Sequence, residues 1–331
     1  MRDTNLIYDV LVVGAGPIGI ACGVEAKKSN LSHIIIEKGC LTDAIYQFPT
    51  NLVFFSTADL LELDNIPFVI SGSKPTRSDI LNYYKRITGH FDLNVNLFER
   101  VGQIEQSDGL FYVETDKAKY RARHVVLAIG FYDHPKMLNI PGENLPKVSH
   151  YYTEAHYFYN MNVAVIGGGN SGVEAALELY RGGARKVSFI HRQPGLNSSI
   201  KYWVLPDFQN RVKAGSIEAF FDSNVTEIKE HTIVIQHKSG KTTEIENDYV
   251  LAMTGYHTDF DFLAKTGVKT EDTPQRKPVH DPETMETNVS GMYIAGVATG
   301  GMNTNRIFIE NGRIHARRIV DHIAQKTKKG S

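Results

Sequence analysis

The stretch YDVLVVGAGPIGIACGVEAKKSNLSHIIIEK, residues 8–38, decides the fold, because its pattern returns in MNVAVIGGGNSGVEAALELYRGGARKVSFIHR at residues 161–192. Each copy predicts an apolar strand, a glycine turn, a helix and a second strand. An uninterrupted apolar strand such as 10–13 or 163–166 is typical of a parallel sheet covered on both faces. The repeat therefore predicts an α/β fold with two Rossmann-like, three-layer ββα dinucleotide-binding domains.

The glycine turns carry the predicted phosphate sites. In G-x-G-x-x-G spacing the first glycine makes the tight turn, the second admits the pyrophosphate and the third lets the helix pack on the strand. The N–H groups at the start of the helix then face the phosphates. The predicted contacts are Gly14, Gly16, Pro17 and Gly19 in the first copy, and Gly167, Gly169, Asn170, Ser171 and Gly172 in the second.

The two copies differ where the second strand ends. The first ends at Glu37, whose carboxylate can accept hydrogen bonds from ribose hydroxyls and rejects a 2′-phosphate. The second ends at His191 and Arg192, and Arg192 can pair with a 2′-phosphate, which favours NADP over NAD. An ordinary surface arginine is the alternative. Lys201 is a second candidate for the phosphate contact.

Two nicotinamide sites on one chain would do no useful chemistry, because a hydride that moves between them gains nothing. One of the two sites must therefore hold a flavin. The first site suits FAD, which carries no 2′-phosphate on its adenosine, and the second suits NADPH. The predicted activity is that of an NADPH-dependent flavoprotein oxidoreductase.

The length of 331 residues predicts two domains, because a domain usually has about 150 residues. The apolar run HVVLAIG at 124–130 predicts a buried strand, and the three prolines that follow at 135, 141 and 146 indicate a crossover. We therefore expect one domain over 1–134 and a second, the NADPH domain, over 135–255. Elsewhere the patterns predict helices over 78–89 and 203–213, strands over 95–101 and 111–115, and a last helix from about Thr304.

Charge and cysteine content exclude several classes of protein. Lys plus Arg is 36 and Asp plus Glu is 37, so no net field attracts nucleic acid or anionic lipid. The two cysteines, Cys22 and Cys40, make neither a disulfide framework nor a zinc motif, which predicts a reducing, cytoplasmic location and no metal. The first residues lack the apolar core of a secretory signal, and no stretch is apolar enough to span a bilayer.

The paired glycine motifs, HVVLAIG, YVLAMTGY and GMYIAGV together resemble the low-molecular-weight thioredoxin reductase-like flavoproteins over essentially the whole chain. The strings LPKVSHYYTEAH, WVLPDF and IFIENG, with IYxxPT and FFS at 45–56, are most similar to the bacillithiol-disulfide (bacilliredoxin) reductases. The resemblance implies FAD and NADPH as cofactors, a homodimer, and an FAD domain that resumes at 256–331. It also implies further FAD contacts at Lys38, Gln47, Thr50, Gly130, Gly296, Val297 and Asn305.

The chain departs from these families at their thiols. Thioredoxin reductases carry a CxxC before the second glycine turn, where this chain has HYYT at 150–153, and bacilliredoxin reductases carry a cysteine after the first-turn proline, where it has Ile18. Cys22, one helical turn beyond Ile18, is the one weak catalytic candidate; an unreactive buried thiol is the alternative. At position 297 most flavoproteins of the wider group have an aspartate that binds the ribityl chain. Val297 cannot make that side-chain bond, although its backbone N–H still can. Candidate proton donors, with ordinary structural histidines as the alternative, are His134, His150, His156 and His257.

The resemblance predicts that electrons pass from NADPH through flavin to a disulfide acceptor, either a low-molecular-weight thiol disulfide or a thioredoxin-like protein. Because the expected thiols are missing, one-electron transfer to a ferredoxin or flavodoxin is the main alternative, since it needs no enzyme thiol. A flavin monooxygenase and a redox-sensing flavoprotein without turnover are lesser alternatives.

Overall fold

The chain forms two compact units. The computed structural model describes residues 6–196 and 199–329, with side chains as far as residue 326. The first unit contains 6–47, 52–134 and 256–329, and the second contains Phe48–Asn51 and Pro135–Gly255. The first unit is therefore built from both ends of the chain, and the second is almost wholly continuous.

The elements alternate in the way that the repeat predicts. The helices are α1 Pro17–Lys28, α2 Asp43–Tyr46, α3 Arg77–His90, α4 Asn170–Arg181, α5 Leu205–Lys213, α6 Phe260–Lys265, α7 Ile309–Gly312 and α8 Ile314–Lys329. The strands are β1 Ile7–Val13, β2 His33–Ile36, β3 Val95–Asn96, β4 Val101–Ser107, β5 Leu110–Thr115, β6 Lys119–Leu127, β7 Val148–Ser149, β8 Asn162–Ile166, β9 Lys186–Ile190, β10 Glu218–Phe220, β11 Ser223–Ile228, β12 Thr232–His237, β13 Thr242–Glu246, β14 Tyr249–Ala252 and β15 Met292–Ile294.

A seven-stranded sheet forms the centre of the first unit. Its order is β3-β2-β1-β6-β5-β4, and β15 also pairs with β6. β1 runs parallel to both neighbours, with Val12 opposite Ile35 in β2 and Val126 in β6. All three side chains are fully buried, and each such apolar side chain contributes about 1.5–3 kcal/mol through removal from water. The carboxyl ends of β1, β2, β6 and β15 consequently meet at one edge, and these ends are followed by Gly14, Glu37, Gly130 and Gly296.

Helices cover the parallel part of this sheet. α1 packs on β2 so closely that a Cβ at Gly23 would lie 2.7 Å from Ile35 Cδ1. α8 packs on α1 with a buried face formed by Ala316, Ile319, Val320 and Ile323. Within the residues that the structure describes, no helix combines the length and the apolar character needed to cross a membrane.

The second unit repeats the design on a smaller scale. Its parallel sheet has the order β10-β9-β8-β14-β7, and Val165 of β8 lies opposite Phe189 of β9 and Leu251 of β14. These three side chains are fully buried together with Val173 and Leu177 of α4. A separate antiparallel sheet, β11-β12-β13, packs Ile233 and Ile235 against the other face.

The structure confirms the predicted fold class of two Rossmann-like units. The predicted strand over 95–101 is wrong, because Phe98 takes a left-handed conformation with φ of 54° and divides it into β3 and β4. The last helix begins later than Thr304, since Phe308 is extended at its start and the long helix begins only at Ile314. The domain assignment to FAD and NADPH stays a prediction at this point.

Candidate nucleotide-binding sites

The first glycine turn is shaped for a close backbone approach. Gly14 has φ of 104°, and a Cβ there would lie 2.5 Å from the Ala128 carbonyl oxygen; at Gly19 a Cβ would lie 1.8 Å from the Gly14 oxygen. At Gly16, by contrast, a Cβ would meet no atom within 4 Å. Gly14 and Gly19 must therefore be glycines because the backbone packs too closely there for a side chain. The space over Gly16 is open to a ligand.

The start of α1 can donate to a phosphate. Pro17 occupies its first position, where an N–H is not needed, and the first bond within the helix runs from the Ile20 N–H to the Gly16 oxygen at 2.9 Å. The N–H groups of Ile18 and Gly19 precede that ladder and point out of the helix start. The helix dipole adds a positive potential at the same place.

Glu37 follows β2 and joins two loops. Its Oε2 accepts a hydrogen bond from the Ala15 N–H at 2.7 Å, and its Oε1 accepts one from the Gly39 N–H at 2.8 Å. Glu37 is 6% exposed, and burial raises the pKa of its carboxyl although both N–H donors oppose the rise. Each oxygen keeps a second lone pair, so the carboxylate can also accept bonds from ribose hydroxyls.

The turn after β15 is held by a histidine that the sequence analysis did not single out. Gly296 has φ of 71°, and its N–H donates to Nδ1 of His315 at 3.1 Å. Burial is the main cause that lowers the pKa of His315 to about 4, so the imidazole is neutral at pH 7 and its Nδ1 can accept. Because the Gly296 N–H is engaged, the backbone N–H of Val297 is the group of this pair left for a ribityl oxygen.

Ile18 fills the position of the missing fingerprint thiol. A Cβ at Gly296 would lie 2.9 Å from Ile18 Cγ1, and one at Gly312 would lie 3.3 Å from Ile18 Cδ1. Two glycines therefore make room for this branched side chain. The contact ties the first glycine turn to the turn after β15 by apolar packing.

The remaining predicted FAD residues take several environments in the structure. Lys38 pairs with Asp133 at 2.5 Å, Gly130 has φ of 68°, and the Gln47 carbonyl accepts from the Tyr132 hydroxyl at 3.4 Å. Asn305 is exposed. Thr50 belongs to the second unit, where its N–H donates to the Thr153 carbonyl at 2.9 Å, so the expectation that it lies in the first domain is wrong.

The first unit fits FAD. An open glycine, a helix start with donor N–H groups and a buried carboxylate with spare lone pairs occupy one edge of the sheet, and these are the groups that bind the phosphates and the ribose of a dinucleotide.

The second glycine turn repeats this geometry. A Cβ at Gly167 would lie 2.2 Å from the Met253 carbonyl oxygen, one at Gly172 would lie 2.1 Å from the Gly167 oxygen, and one at Gly169 would meet nothing within 4 Å. The first bond within α4 runs from the Val173 N–H to the Gly169 oxygen at 3.1 Å, so the N–H groups of Ser171 and Gly172 precede the ladder. Asn170 turns its side chain away, donating from Nδ2 to the Ser199 carbonyl at 3.0 Å.

His191 and Arg192 follow β9 beside that turn. The His191 ring lies over Gly168, where a Cβ would come within 2.4 Å of it, and burial lowers its pKa. Arg192 is exposed, and no carboxylate of the residues described lies within ion-pair distance of its guanidinium. The end of this strand thus carries an exposed cation where the first unit carries a buried acid.

Lys201 does not take the place predicted for it. It is 5% exposed, and its ammonium pairs with Glu174 at 2.6 Å. Glu174 lies on α4, and burial raises the pKa of its carboxyl, against the effect of Lys201. The Lys201 backbone N–H also donates to Asn170 Oδ1 at 2.8 Å, so this lysine supports the glycine turn rather than presenting a charge to a phosphate.

Neither cysteine is placed for thiol chemistry. Cys22 is 1% exposed in α1, and burial raises its pKa to about 12. Cys40 donates to Asp43 Oδ1 at 3.3 Å, and burial with this carboxylate raises its pKa to about 11. Both thiols are protonated at neutral pH, so the candidacy of Cys22 gains no support from its environment.

The candidate proton donors lie in structural contacts. His134 approaches Asp259 Oδ2 at 3.2 Å and stands 5.8 Å from the His257 ring, whose Nδ1 contacts the Thr258 carbonyl at 2.7 Å. His150 is nearly buried beside Glu143 at 3.4 Å. Across the described ranges, no group of three or more His, Cys, Asp or Glu side chains could hold a metal ion.

Sequence reasoning missed one residue of these sites, His315. A signal for His315 was available, because it stands four residues before buried Ile319 and hence on the buried face of an amphipathic helix.

Known proteins resemble this chain in sequence over most of its length. A family model described as pyridine nucleotide-disulphide oxidoreductase matches residues 11–296. The chain is 41% identical to the bacilliredoxin reductase Bdr of Bacillus subtilis over 317 residues, which cover 96% of this chain and 97% of that protein.

Solved structures agree. The bacillithiol disulfide reductase Bdr (YpdA) from Bacillus cereus is 41% identical, with a TM-score of 0.94 over 97% of this chain and all of that one (100%). The thioredoxin reductase of T. acidophilum shares the fold, with a TM-score of 0.77 at 22% identity over 97% of this chain and 98% of that one.

Proposed function

This chain belongs to the pyridine nucleotide-disulphide oxidoreductase family, and from that premise we propose that it passes electrons from NADPH through FAD to bacillithiol disulfide. It is an oxidoreductase whose cofactors are FAD and NADPH. The resemblance to the bacilliredoxin reductases that the sequence predicts is confirmed.

The observation that supports the choice of cofactors is the contrast between Glu37 and Arg192 at equivalent strand ends. A buried acid excludes a 2′-phosphate, and an exposed arginine attracts one. The acceptor is proposed from relatives of matching length whose names specify bacilliredoxin and bacillithiol disulfide.

The residues of the first unit would hold FAD, which when bound takes up a hydride from NADPH and gives its electrons to the acceptor. We propose that the Ile18 and Gly19 N–H groups bind the pyrophosphate, Glu37 the ribose, and the Val297 N–H the ribityl chain. His315 acts through Gly296, because its Nδ1 fixes the orientation of the peptide before Val297. It is a positioning residue.

In the second unit we propose that Gly169, Ser171 and Gly172 hold the NADPH pyrophosphate and that Arg192 selects the 2′-phosphate. We assign 1–134 with 256–331 to FAD and 135–255 to NADPH. We also propose a homodimer, an expectation that rests on the resemblance; light scattering on a size-exclusion column at several protein concentrations tests it, and a monomer mass throughout would refute it.

Anaerobic reduction tests the proposal. The FAD-loaded protein is reduced with NADPH and then mixed in turn with bacillithiol disulfide, a bacilliredoxin-type protein, a ferredoxin or flavodoxin, and oxygen. We expect bacillithiol disulfide to reoxidise the flavin fastest, with two thiols formed for each NADPH consumed. Reoxidation by none of the disulfides would refute the proposed acceptor.

One observation favours a second candidate, an NADP reductase for ferredoxin or flavodoxin. Cys22 and Cys40 are protonated at neutral pH and Cys22 is buried, whereas disulfide reduction normally proceeds through a mixed disulfide with an enzyme thiol. Transfer to a ferredoxin needs no such thiol. Faster reoxidation by ferredoxin than by any disulfide in the same experiment would select this candidate.

A further inference from the structure

Lys38 and Asp133 form an ion pair at the carboxyl edge of the sheet in the first unit. The Lys38 ammonium lies 2.5 Å from Asp133 Oδ2. Lys38 stands two residues beyond β2, and Asp133 stands six residues beyond β6. Because β1 lies between these two strands, the ion pair joins the loops on either side of the first glycine turn.

The same two loops flank that glycine turn closely. On one side, the Ala15 N–H donates to Glu37 at 2.7 Å, and the Ala15 carbonyl accepts from the Thr42 N–H at 3.0 Å. On the other side, a Cβ at Gly14 would lie 2.5 Å from the Ala128 carbonyl oxygen. The turn is therefore enclosed by the two loops that the ion pair connects.

The backbone leaves open space along this edge of the sheet. A Cβ at Gly16 would meet no atom within 4 Å, and the same holds for Gly130 beyond β6. The proposed FAD contacts run along the edge from Glu37 past Gly16 to Val297, and they cross the end of β1 as the ion pair does. The ion pair and the cofactor would therefore span the same stretch of the edge.

The backbone is anchored at both ends of the ion pair. Lys38 stands between Glu37 and Gly39, and the Gly39 N–H donates to the Glu37 carboxylate at 2.8 Å. Next to Asp133, the side chain of Tyr132 is buried. The two charged side chains are themselves partly exposed. Because an exposed ion pair is weak and opens readily, these side chains are the part that can move.

We propose that the ion pair between Lys38 and Asp133 is a latch across the FAD site, which must open before FAD enters or leaves. This inference rests on the proposed function and adds to it a control of how fast the cofactor exchanges. It also gives Lys38 a role other than a phosphate contact, because its ammonium is engaged by a carboxylate. A latch of this kind slows binding and release equally, so it leaves the Kd for FAD unchanged.

The rate at which the FAD-loaded protein releases FAD after dilution tests the inference, together with the Kd of the FAD-depleted chain for FAD. Lys38→Gln, Asp133→Asn and the double variant each remove the ion pair. We expect all three to quicken release to the same degree, up to about fivefold, with the Kd within about twofold of wild type. Asp133→Asn is the decisive variant, because loss of a negative charge beside an anionic pyrophosphate would by charge alone slow the release.

The matched control is Lys119→Gln, which removes the exposed ion pair that Lys119 forms with Glu114 at 3.2 Å. Lys119 begins β6 and so lies at the opposite edge of the same sheet. This variant should leave both the release rate and the Kd unchanged. An ionic strength of about 0.5 M should quicken release from the wild type towards that of the latch variants, whose own rates should change little.

The outcomes separate the inference from the proposed function. Release that is unchanged or slower in Asp133→Asn overturns the latch, and so does a Kd that rises as much as the release rate. In either case the proposed FAD site stands if Glu37→Ala still loses its flavin. If the wild-type chain takes up no FAD, the proposed function and the inference fail together. Circular dichroism of each variant distinguishes loss of the ion pair from loss of fold.

Discussion

The two glycine turns have almost the same backbone and opposite chemistry beyond it. A Cβ at the third glycine would lie 1.8 Å from a carbonyl oxygen in the first unit and 2.1 Å in the second, and the middle glycine is open in both. A buried glutamate, Glu37, directly follows the second strand in one unit, and an exposed arginine, Arg192, lies two residues beyond it in the other. The backbone therefore forms the phosphate site, and one side chain determines which nucleotide each unit selects.

The two side chains also differ in how far they belong to the fold. Glu37 accepts hydrogen bonds from two backbone N–H groups, so it supports the loops around it as well as a ribose. Arg192 makes no ion pair within the described residues and is available for a ligand. Changes at Glu37 should therefore affect stability and binding together, and changes at Arg192 binding alone.

The largest effect is expected where the turns are most alike. Gly19→Ala and Gly172→Ala each place a Cβ about 2 Å from a carbonyl oxygen, and we expect each to lower the free energy of unfolding by more than about 3 kcal/mol. Urea denaturation measures this free energy of unfolding. Gly89→Ala is the control, because that helical glycine has no atom within 4 Å of its Cβ position and should gain up to about 1 kcal/mol. Wild-type stability in both turn variants would contradict the geometry.

Glu37→Ala is expected to have the next largest effect. It leaves the Ala15 and Gly39 N–H groups without their acceptor, which costs about 3 kcal/mol in total, and it removes the proposed ribose contact. The purified variant should lose its yellow colour on gel filtration, and urea denaturation should show the lost stability. Glu37→Gln keeps one acceptor oxygen, so its stability and its retention of FAD should lie between those of the wild type and of Glu37→Ala. If the alanine variant retained FAD, Glu37 would not be needed for binding of the cofactor.

His315 makes the first unit sensitive to acid. Its pKa lies at about 4 in the folded chain, below its ordinary value of 6.5, so the unfolded state binds more protons and stability falls as the pH drops from about 6.5 to about 4. The loss at the acid end is at most about 3 kcal/mol. His315→Asn should flatten this part of the pH dependence of urea denaturation, while the exposed His231→Asn should not. An unchanged slope in His315→Asn would exclude this histidine as the cause.

Arg192→Ala should change selectivity without changing stability. Losing charge-assisted bonds to a 2′-phosphate costs about 1.5–3 kcal/mol, which raises the Kd for NADPH roughly 10- to 100-fold. Affinity for NADH should stay within about twofold, because NADH has no group at that position. Titration calorimetry with both nucleotides measures the change. If the affinities for NADPH and NADH weakened equally, Arg192 would contact a group that both nucleotides share and not the 2′-phosphate.

The smallest effect is expected at the cysteines. Because both thiols are protonated and Cys22 is buried, Cys22→Ala and Cys40→Ser should each leave disulfide reduction within about twofold of wild type. Steady-state turnover with bacillithiol disulfide and NADPH measures it. Loss of turnover in one variant, with flavin reduction by NADPH unchanged, would identify an enzyme thiol after all.

The sequence predicted what depends on local pattern. Gly14, Gly19, Gly167 and Gly172 lie where their spacing requires. The residues that follow each second strand, Glu37 in one copy and Arg192 in the other, could also be read directly from the chain. The pairing of Lys201 with Glu174 could not, because whether a lysine faces a ligand or a buried carboxylate depends on packing between α4 and a loop some 27 residues away. The engagement of Gly296 by His315 likewise arises only when distant elements of the chain meet at one edge of a sheet.

The central claim is that one chain holds a flavin beside a carboxylate and a phosphorylated nicotinamide beside an arginine. Anaerobic mixing of the purified protein with NADPH, and separately with NADH, tests it most directly through the visible absorption of the flavin. We expect a yellow protein that NADPH bleaches at a much lower concentration than NADH does. A colourless protein that takes up no added FAD, or a yellow one that NADPH leaves oxidised, would contradict it.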